Sequence, residues 1–257
     1  MQSPERQVER VLLELRQMVL SGEFPTGSRV PEIPVAQRLG VSRTPVRLAL
    51  GQLEQEGLLR SSPRRGFVVR EITVAQIIDA FEVRGSLEGL ACRLAVEKGI
   101  DAETLEVLNA CIASGDRLLA KGRFSDADTV AWTEMNVLFH RTIVEAAKNK
   151  PLADAIATNA RTPLVGPGSI PFATSTMDGS FQNMLGVQAE HRSIASAIAG
   201  GQSTRAGALS EEHALRARER LRGKLEELQS HHPDTNVLGL SLLTNGRGTR
   251  SRTEGKP

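Results

Sequence analysis

Tyrosine is absent from this 257-residue chain, tryptophan occurs once, and aromatic residues make up only 3% of it. Strands draw on aromatic and β-branched residues, whereas helices are built from the Leu, Ala, Arg and Glu that are abundant here. The scarcity therefore argues for a mainly α fold. Cysteine is nearly as scarce: Cys92 and Cys111 are the only two. That argues against a disulfide framework or a Cys-rich zinc site, and both cysteines, set among Ala and Leu, read as buried packing. No stretch approaches about 18 uninterrupted apolar residues, so no membrane span is expected. The N-terminus opens with Glu5, Arg6 and Glu9 in place of an apolar signal core, which predicts a cytoplasmic protein. No GxSxG, HExxH or phosphate-loop motif is found, and the chain is not expected to be an enzyme.

The formal net charge of +2 is unevenly spread. Residues 1–70 carry 11 Lys/Arg against 7 Asp/Glu, residues 71–230 carry 17 against 21, and residues 231–257 carry 4 against 2. A basic head on an acidic body suggests that the head meets a polyanion, although many domains that bind none are equally basic.

Residues 5–20 place Val8, Val11, Leu12, Leu15 and Val19 on one helical face. Gly22 stops that helix, and Pro25 and Gly27 make a turn. Residues 31–39 read as a short helix closed by Gly40. Ser42 is suited to cap the next helix, which runs to about Gly57 with Pro45 in its first turn. Residues 58–72 then read as two short strands around a turn at Ser62–Gly66. The order helix, helix, helix, hairpin is that of a winged helix-turn-helix. Such a domain sets the N-terminal residues of its second motif helix, here Ser42, Arg43, Thr44 and Arg47, on base edges of double-stranded DNA. Arginine can bond guanine bidentately, and Ser and Thr hydroxyls suit phosphates. Arg64, Arg65 and Gly66 at the wing tip could enter the minor groove. Taken singly, Arg43 or Arg47 reads equally well as a solvated surface arginine.

Beyond Thr73 the pattern is helical over 73–99, with Val83 among its apolar positions, then over 101–121, 125–148, a short 152–161, about 184–199 and 203–229. Residues 162–183, rich in Pro, Gly, Ser and Thr, read as a long loop. The expected organisation is a DNA-binding domain over 1–70, a hinge over 71–73, an antiparallel all-helical bundle over 74–229, and a disordered tail over 230–257.

The string VSRTPVRLALGQLEQEGLL followed by RRGFVV resembles the winged helix-turn-helix of GntR-family transcription regulators. The likeness covers residues 4–70, with one departure: relatives often carry a basic residue near Ile33. Three further strings, IIDAFEVRGSLEGLACRLA (77–95), NVLFHRTIVEAAKNKPL (136–152) and EHRSIASAIAGG (190–201), together with His213, resemble the FadR-type subgroup, whose effector domain is called FCD. The resemblance implies a helical bundle with an internal cavity, a homodimer on a palindromic operator, and a ligand-released repressor. It also implies metal ligands at His140, His191 and His213, and at Asn136, which many relatives replace by Asp.

Asn136 and His140 lie four residues apart and share a helical face. Three imidazoles and one oxygen suit zinc, nickel or a similar divalent ion with positions left for a ligand. A neutral amide in place of a carboxylate weakens metal affinity but leaves room for an effector's own carboxylate. A small organic acid is therefore the expected effector, and Arg84 the first candidate to clamp it, ahead of Arg141 and Arg161. An ion pair with Glu88 at i+4 is the competing role for Arg84. Three alternatives remain at this point: a metal-free regulator sensing an acyl or lipid-like effector, a metallohydrolase with a DNA-binding head, and a plain architectural DNA binder.

Overall fold

In the computed structural model of the chain, residues 4–168, 177–231 and 243–244 are described. They fall into two compact units that divide after Ile77.

In the first unit, α1 (Pro4–Leu20) offers a stripe of Val11, Leu15 and Val19 that is completely buried. It packs against Val46, Leu50 and Leu53 of α3 (Arg43–Gln55), while α2 (Glu32–Leu39) adds Val35, Ala36 and Leu39. The α2–α3 turn depends on Gly40, whose φ of 64° lies in the left-handed region. Gly40 lets the chain reverse while the N–H of Val41 donates to Ala36 O at 3.0 Å, satisfying the last turn of α2. Strands β1 (Leu59–Ser62) and β2 (Gly66–Val69) form an antiparallel hairpin in which Leu59 faces Val69 and Ser62 faces Gly66. The loop before α2 reinforces it: Gly27 and Val30 N–H donate to Val69 O and Phe67 O, both at 3.0 Å.

The segment expected to be a hinge is ordered by pairing. β3 (Ile72–Thr73) runs parallel to Leu243–Thr244, so these two tail residues form a short strand, β4, where disorder was expected. The rest of that tail beyond His231 lies outside the described residues. Thr73 and Gln76 then cap α4 (Val74–Glu97) reciprocally: Thr73 N–H donates to Gln76 Oε1 at 3.0 Å and Gln76 N–H to Thr73 Oγ1 at 3.1 Å.

The second unit is a helical bundle made by α4 with α5 (Ala102–Leu119), α6 (Asp126–Ala146), α7 (Lys150–Asn159), α8 (Met177–Ala199) and α9 (Ser203–His231). Its starts are written in the sequence: Asp101 caps α5, Ser125 and Asp128 form a capping box on α6, and Asn149 caps α7 with Pro151 in the first turn. Phe139, Leu108, Ile194 and Ile198 are buried at its centre. Val83, read as apolar-face, is instead half exposed. The loop expected over 162–183 ends earlier, because α8 already begins at Met177. Gly179 and Ser180 resemble loop punctuation, but Phe181 packs edge-on against Phe124, with ring centroids 6.0 Å apart, and that contact outweighs propensity. Helices α4 and α9 approach closely at Gly89 and Gly207, where a Cβ on either would stand 3.0 Å from the other's carbonyl oxygen.

Candidate functional site

Three helices of the second unit each bring one histidine to a common point. His140 comes from α6, His191 from α8 and His213 from α9, with relative exposures of 6%, 0% and 4%. Their ring centroids are 5.0–5.4 Å apart, and one ligating atom from each lies within 4.8 Å of the others. His140 Nε2 and both nitrogens of His191 are buried without a hydrogen-bond partner. A buried unsatisfied polar group costs about 1–3 kcal/mol, and these three nitrogens sit on two of the three converging rings, so the cluster could hold a ligand such as a metal ion. Phe139 stacks on His191 at 4.3 Å between centroids and fixes that ring from behind.

A carboxylate orients the His213 ring, and a second stands beside His140. Glu190 Oε2 lies 2.6 Å from His213 Nδ1, which leaves Nε2 as the nitrogen free to ligate. Arg220 holds both oxygens of Glu190 at 3.0 Å. Burial pushes Glu190 up, but the His213 and Arg220 contacts prevail and hold it at about 2. Burial pushes His213 down to about 4 against the pull of Glu190, and burial together with the neighbouring cations drives His191 well below its ordinary value. Both imidazoles are therefore neutral at neutral pH, the form that binds a metal. On the far side Glu88 Oε2 stands 3.3 Å from His140 Nδ1. Burial raises the Glu88 carboxyl, yet Arg84 and His140 outweigh it and keep it below the ordinary carboxylate range.

The expected ligand residues divide in two. Asn136 stands on α6 one turn before His140; its Nδ2 donates to Pro167 O at 2.7 Å, which turns Oδ1 into a buried, unpartnered acceptor. Arg84 is 7% exposed and lines a small concavity with Glu88, Asn159, Val165 and Pro167. The ion pair weighed as its competing role is formed: Nε donates to Glu88 at 2.9 Å, and Nη1 donates to Val165 O at 2.8 Å. Arg141 and Arg161 are not brought inside. Arg141 is 61% exposed and pairs with Glu145 at 3.7 Å, and Arg161 is exposed in the turn after α7, so neither faces the interior.

In the first unit, Ser42, Arg43, Thr44 and Arg47 are all exposed at the N-terminal half of α3, and Arg64, Arg65 and Gly66 are exposed at the tip of the β1–β2 hairpin. Ser42 occupies the capping position, yet its hydroxyl makes no cap hydrogen bond. Sequence reading missed Glu32: its carboxylate accepts from Arg47 Nη2 at 2.9 Å and from Arg43 Nη2 at 3.4 Å. Bonding from Arg47 first, and from Arg43, holds its pKa low against burial. Glu190 was missed as well; its place directly before His191 is the one local signal, and its contact is with a histidine 23 residues away.

Comparison with known proteins gives the same two parts. Residues 7–69 match the bacterial regulatory proteins of the gntR family, and residues 79–216 match the FCD domain. The Nta operon transcriptional regulator of Aminobacter aminovorans is 32% identical over 139 residues, 54% of this chain and 63% of that protein. The gluconate operon transcriptional repressor of Bacillus subtilis is 32% identical over 143 residues, 53% of this chain and 54% of that protein. The chain thus spans little more than half the length of these curated relatives. Among solved structures, the fold is similar to that of Lar, which controls expression of the Listeria monocytogenes agr system, with a TM-score of 0.63 and 17% identity over 84% of this chain and 96% of that one. It is also similar to that of E. coli McbR/YncC, with a TM-score of 0.61 and 22% identity over 88% of this chain and 100% of that one. At such identities the likeness is one of fold. The chain belongs to the gntR family of bacterial regulatory proteins, and the helical domain behind its winged helix-turn-helix is an FCD domain.

Proposed function

We propose that this protein is a ligand-responsive, DNA-binding transcription regulator. It acts as a homodimeric repressor on a palindromic operator and is released by a small organic acid bound at a divalent metal site in the FCD domain. The observation that carries the sensing half is the buried His140–His191–His213 cluster with its unpartnered ring nitrogens. The donor set fits zinc or nickel: three imidazoles from three helices, with the Asn136 oxygen on the same face of α6 as His140. A bound divalent ion supplies a Lewis acid that attracts a carboxylate oxygen. Glu190 fixes the His213 ring, and Phe139 fixes that of His191. Arg84 presents a buried cation at the wall of the adjoining concavity, already shared between Glu88 and the Val165 carbonyl, so an incoming carboxylate competes for it with these two acceptors.

The DNA-binding half rests on the family match and on the exposed set Ser42, Arg43, Thr44 and Arg47, joined by Arg64 and Arg65 on the wing. In a homodimer two such helices read half-sites about one helical turn apart. By linkage, an effector weakens the complex only as far as it binds the DNA-free form better. The test is a DNA-release assay. Metal-loaded protein is bound to a duplex selected from a random pool and titrated with a panel of small mono-, di- and tricarboxylates. One class is expected to lower DNA affinity at least fivefold, and the His140→Ala, His191→Ala variant should bind DNA without responding. Release by the same acid from that variant would contradict the proposed sensing site.

A further inference from the structure

We infer that Ile33 and Leu48 read thymine: each packs its aliphatic side chain against a thymine 5-methyl group in the major groove. The inference deepens the regulator reading and rests on it. Among the described residues of the first unit, three large hydrophobic side chains are more than half exposed, namely Leu13 on α1, Ile33 on α2 and Leu48 on α3. The last two stand on the helix-turn-helix itself, at 53% and 55% exposure. Ile33 follows Glu32, whose carboxylate gathers Arg43 and Arg47. Leu48 follows Arg47 and lies one helical turn after Thr44 on the same stripe of α3. The two apolar side chains are thus sequence neighbours of opposite partners in a single carboxylate–guanidinium cluster.

That cluster shapes what the face can recognise. Glu32 neutralises part of the charge on the two arginines and restrains both guanidinium groups, so the face is not an undifferentiated cationic patch. It offers two tethered arginines, the hydroxyls of Ser42 and Thr44, and two branched aliphatic groups. Phosphates give an aliphatic group no favourable contact, and the C–H surface of deoxyribose is the same at every nucleotide and carries no sequence information. In the major groove the apolar feature on a base edge is the C5-methyl of thymine. The excess of Arg over Glu in residues 1–70, with Arg64 and Arg65 exposed on the wing, favours the polyanion as the occupant of this face over an apolar protein partner.

The test uses the full-length protein. Its preferred duplex is selected from a random pool, and each thymine in the selected site is replaced singly by deoxyuridine, which removes only the methyl group. For the unaltered protein, removal at one or two positions per half-site should weaken binding about fourfold, the value of one buried methyl. Leu48→Ala should abolish the effect at one of these positions and Ile33→Ala at another, while thermal melting stays unchanged because both side chains are exposed. A selected site without thymine would overturn the inference, as would deoxyuridine effects that are identical in all three proteins. It would also be overturned if the substitutions left DNA binding alone and instead converted a dimer to a monomer, since the face would then contact protein. Failure to enrich any sequence would overturn the regulator reading itself, and this inference with it.

Discussion

The two units keep their chemistry in opposite places. The first buries an aliphatic core and carries its charged residues outside, where Arg43 and Arg47 remain mostly exposed even while paired to Glu32. The second buries its polar groups: His140, His191, His213, Glu88 and Arg84 lie inside a helical bundle. An exposed arginine costs little to keep and can be offered to any polyanion. A buried imidazole without a partner is costly and persists where something repays it. A surface built for a large partner is therefore judged by charge and shape, and an interior built for a small one by its unsatisfied atoms.

Substitutions should separate the two regions. The largest effect on stability is expected for Phe139→Ala, which removes a fully buried ring from the bundle and the stack behind His191. It should cost about 3–5 kcal/mol in chemical denaturation and leave the DNA-binding head to melt independently. Next comes Arg47→Ala, with an expected loss of about 1–3 kcal/mol in binding to the selected operator and no more than about 0.5 kcal/mol in stability, measured by titration and by melting. Glu190→Gln should leave DNA affinity in the absence of ligand unchanged and lower metal affinity about 10- to 100-fold in competition with a chelator, because His213 loses the carboxylate that orients it. The smallest effect belongs to Arg141→Ala, within about 0.5 kcal/mol in stability and silent in ligand response, as befits an exposed side chain in an i,i+4 pair. A large loss of ligand response in that variant would move the sensing site away from the buried centre.

Much of this was legible in the sequence. The capping position of Ser42 gave the start of α3, helical periodicity alone gave those of α5 and α6, and the turn around Ser62–Gly66 gave the hairpin. The histidines were legible only through resemblance, because no spacing within the chain brings positions 140, 191 and 213 together; packing of α6, α8 and α9 does. Glu32 and Glu190 stayed hidden for the same reason: their partners Arg43 and His213 lie on other helices, 11 and 23 residues away. Glu88 was legible as the i+4 partner of Arg84, but its approach to His140, 52 residues on, was not. The start of α8 was misread because Gly179 and Ser180 signal a loop, and the Phe124–Phe181 contact that overrides them is long-range. The pairing of Ile72–Thr73 with Leu243–Thr244 joins residues too distant for any local rule.

The most direct test of the account is the metal content of protein purified without added metal and then offered zinc or nickel, measured by mass spectrometry of the denatured chain. The account predicts about one divalent ion per chain, lost in the His140→Ala, His191→Ala variant while its helical content persists. A chain that stays free of metal under both conditions, or a variant that keeps its ion, would contradict the claim that the buried histidines form a metal-centred sensor.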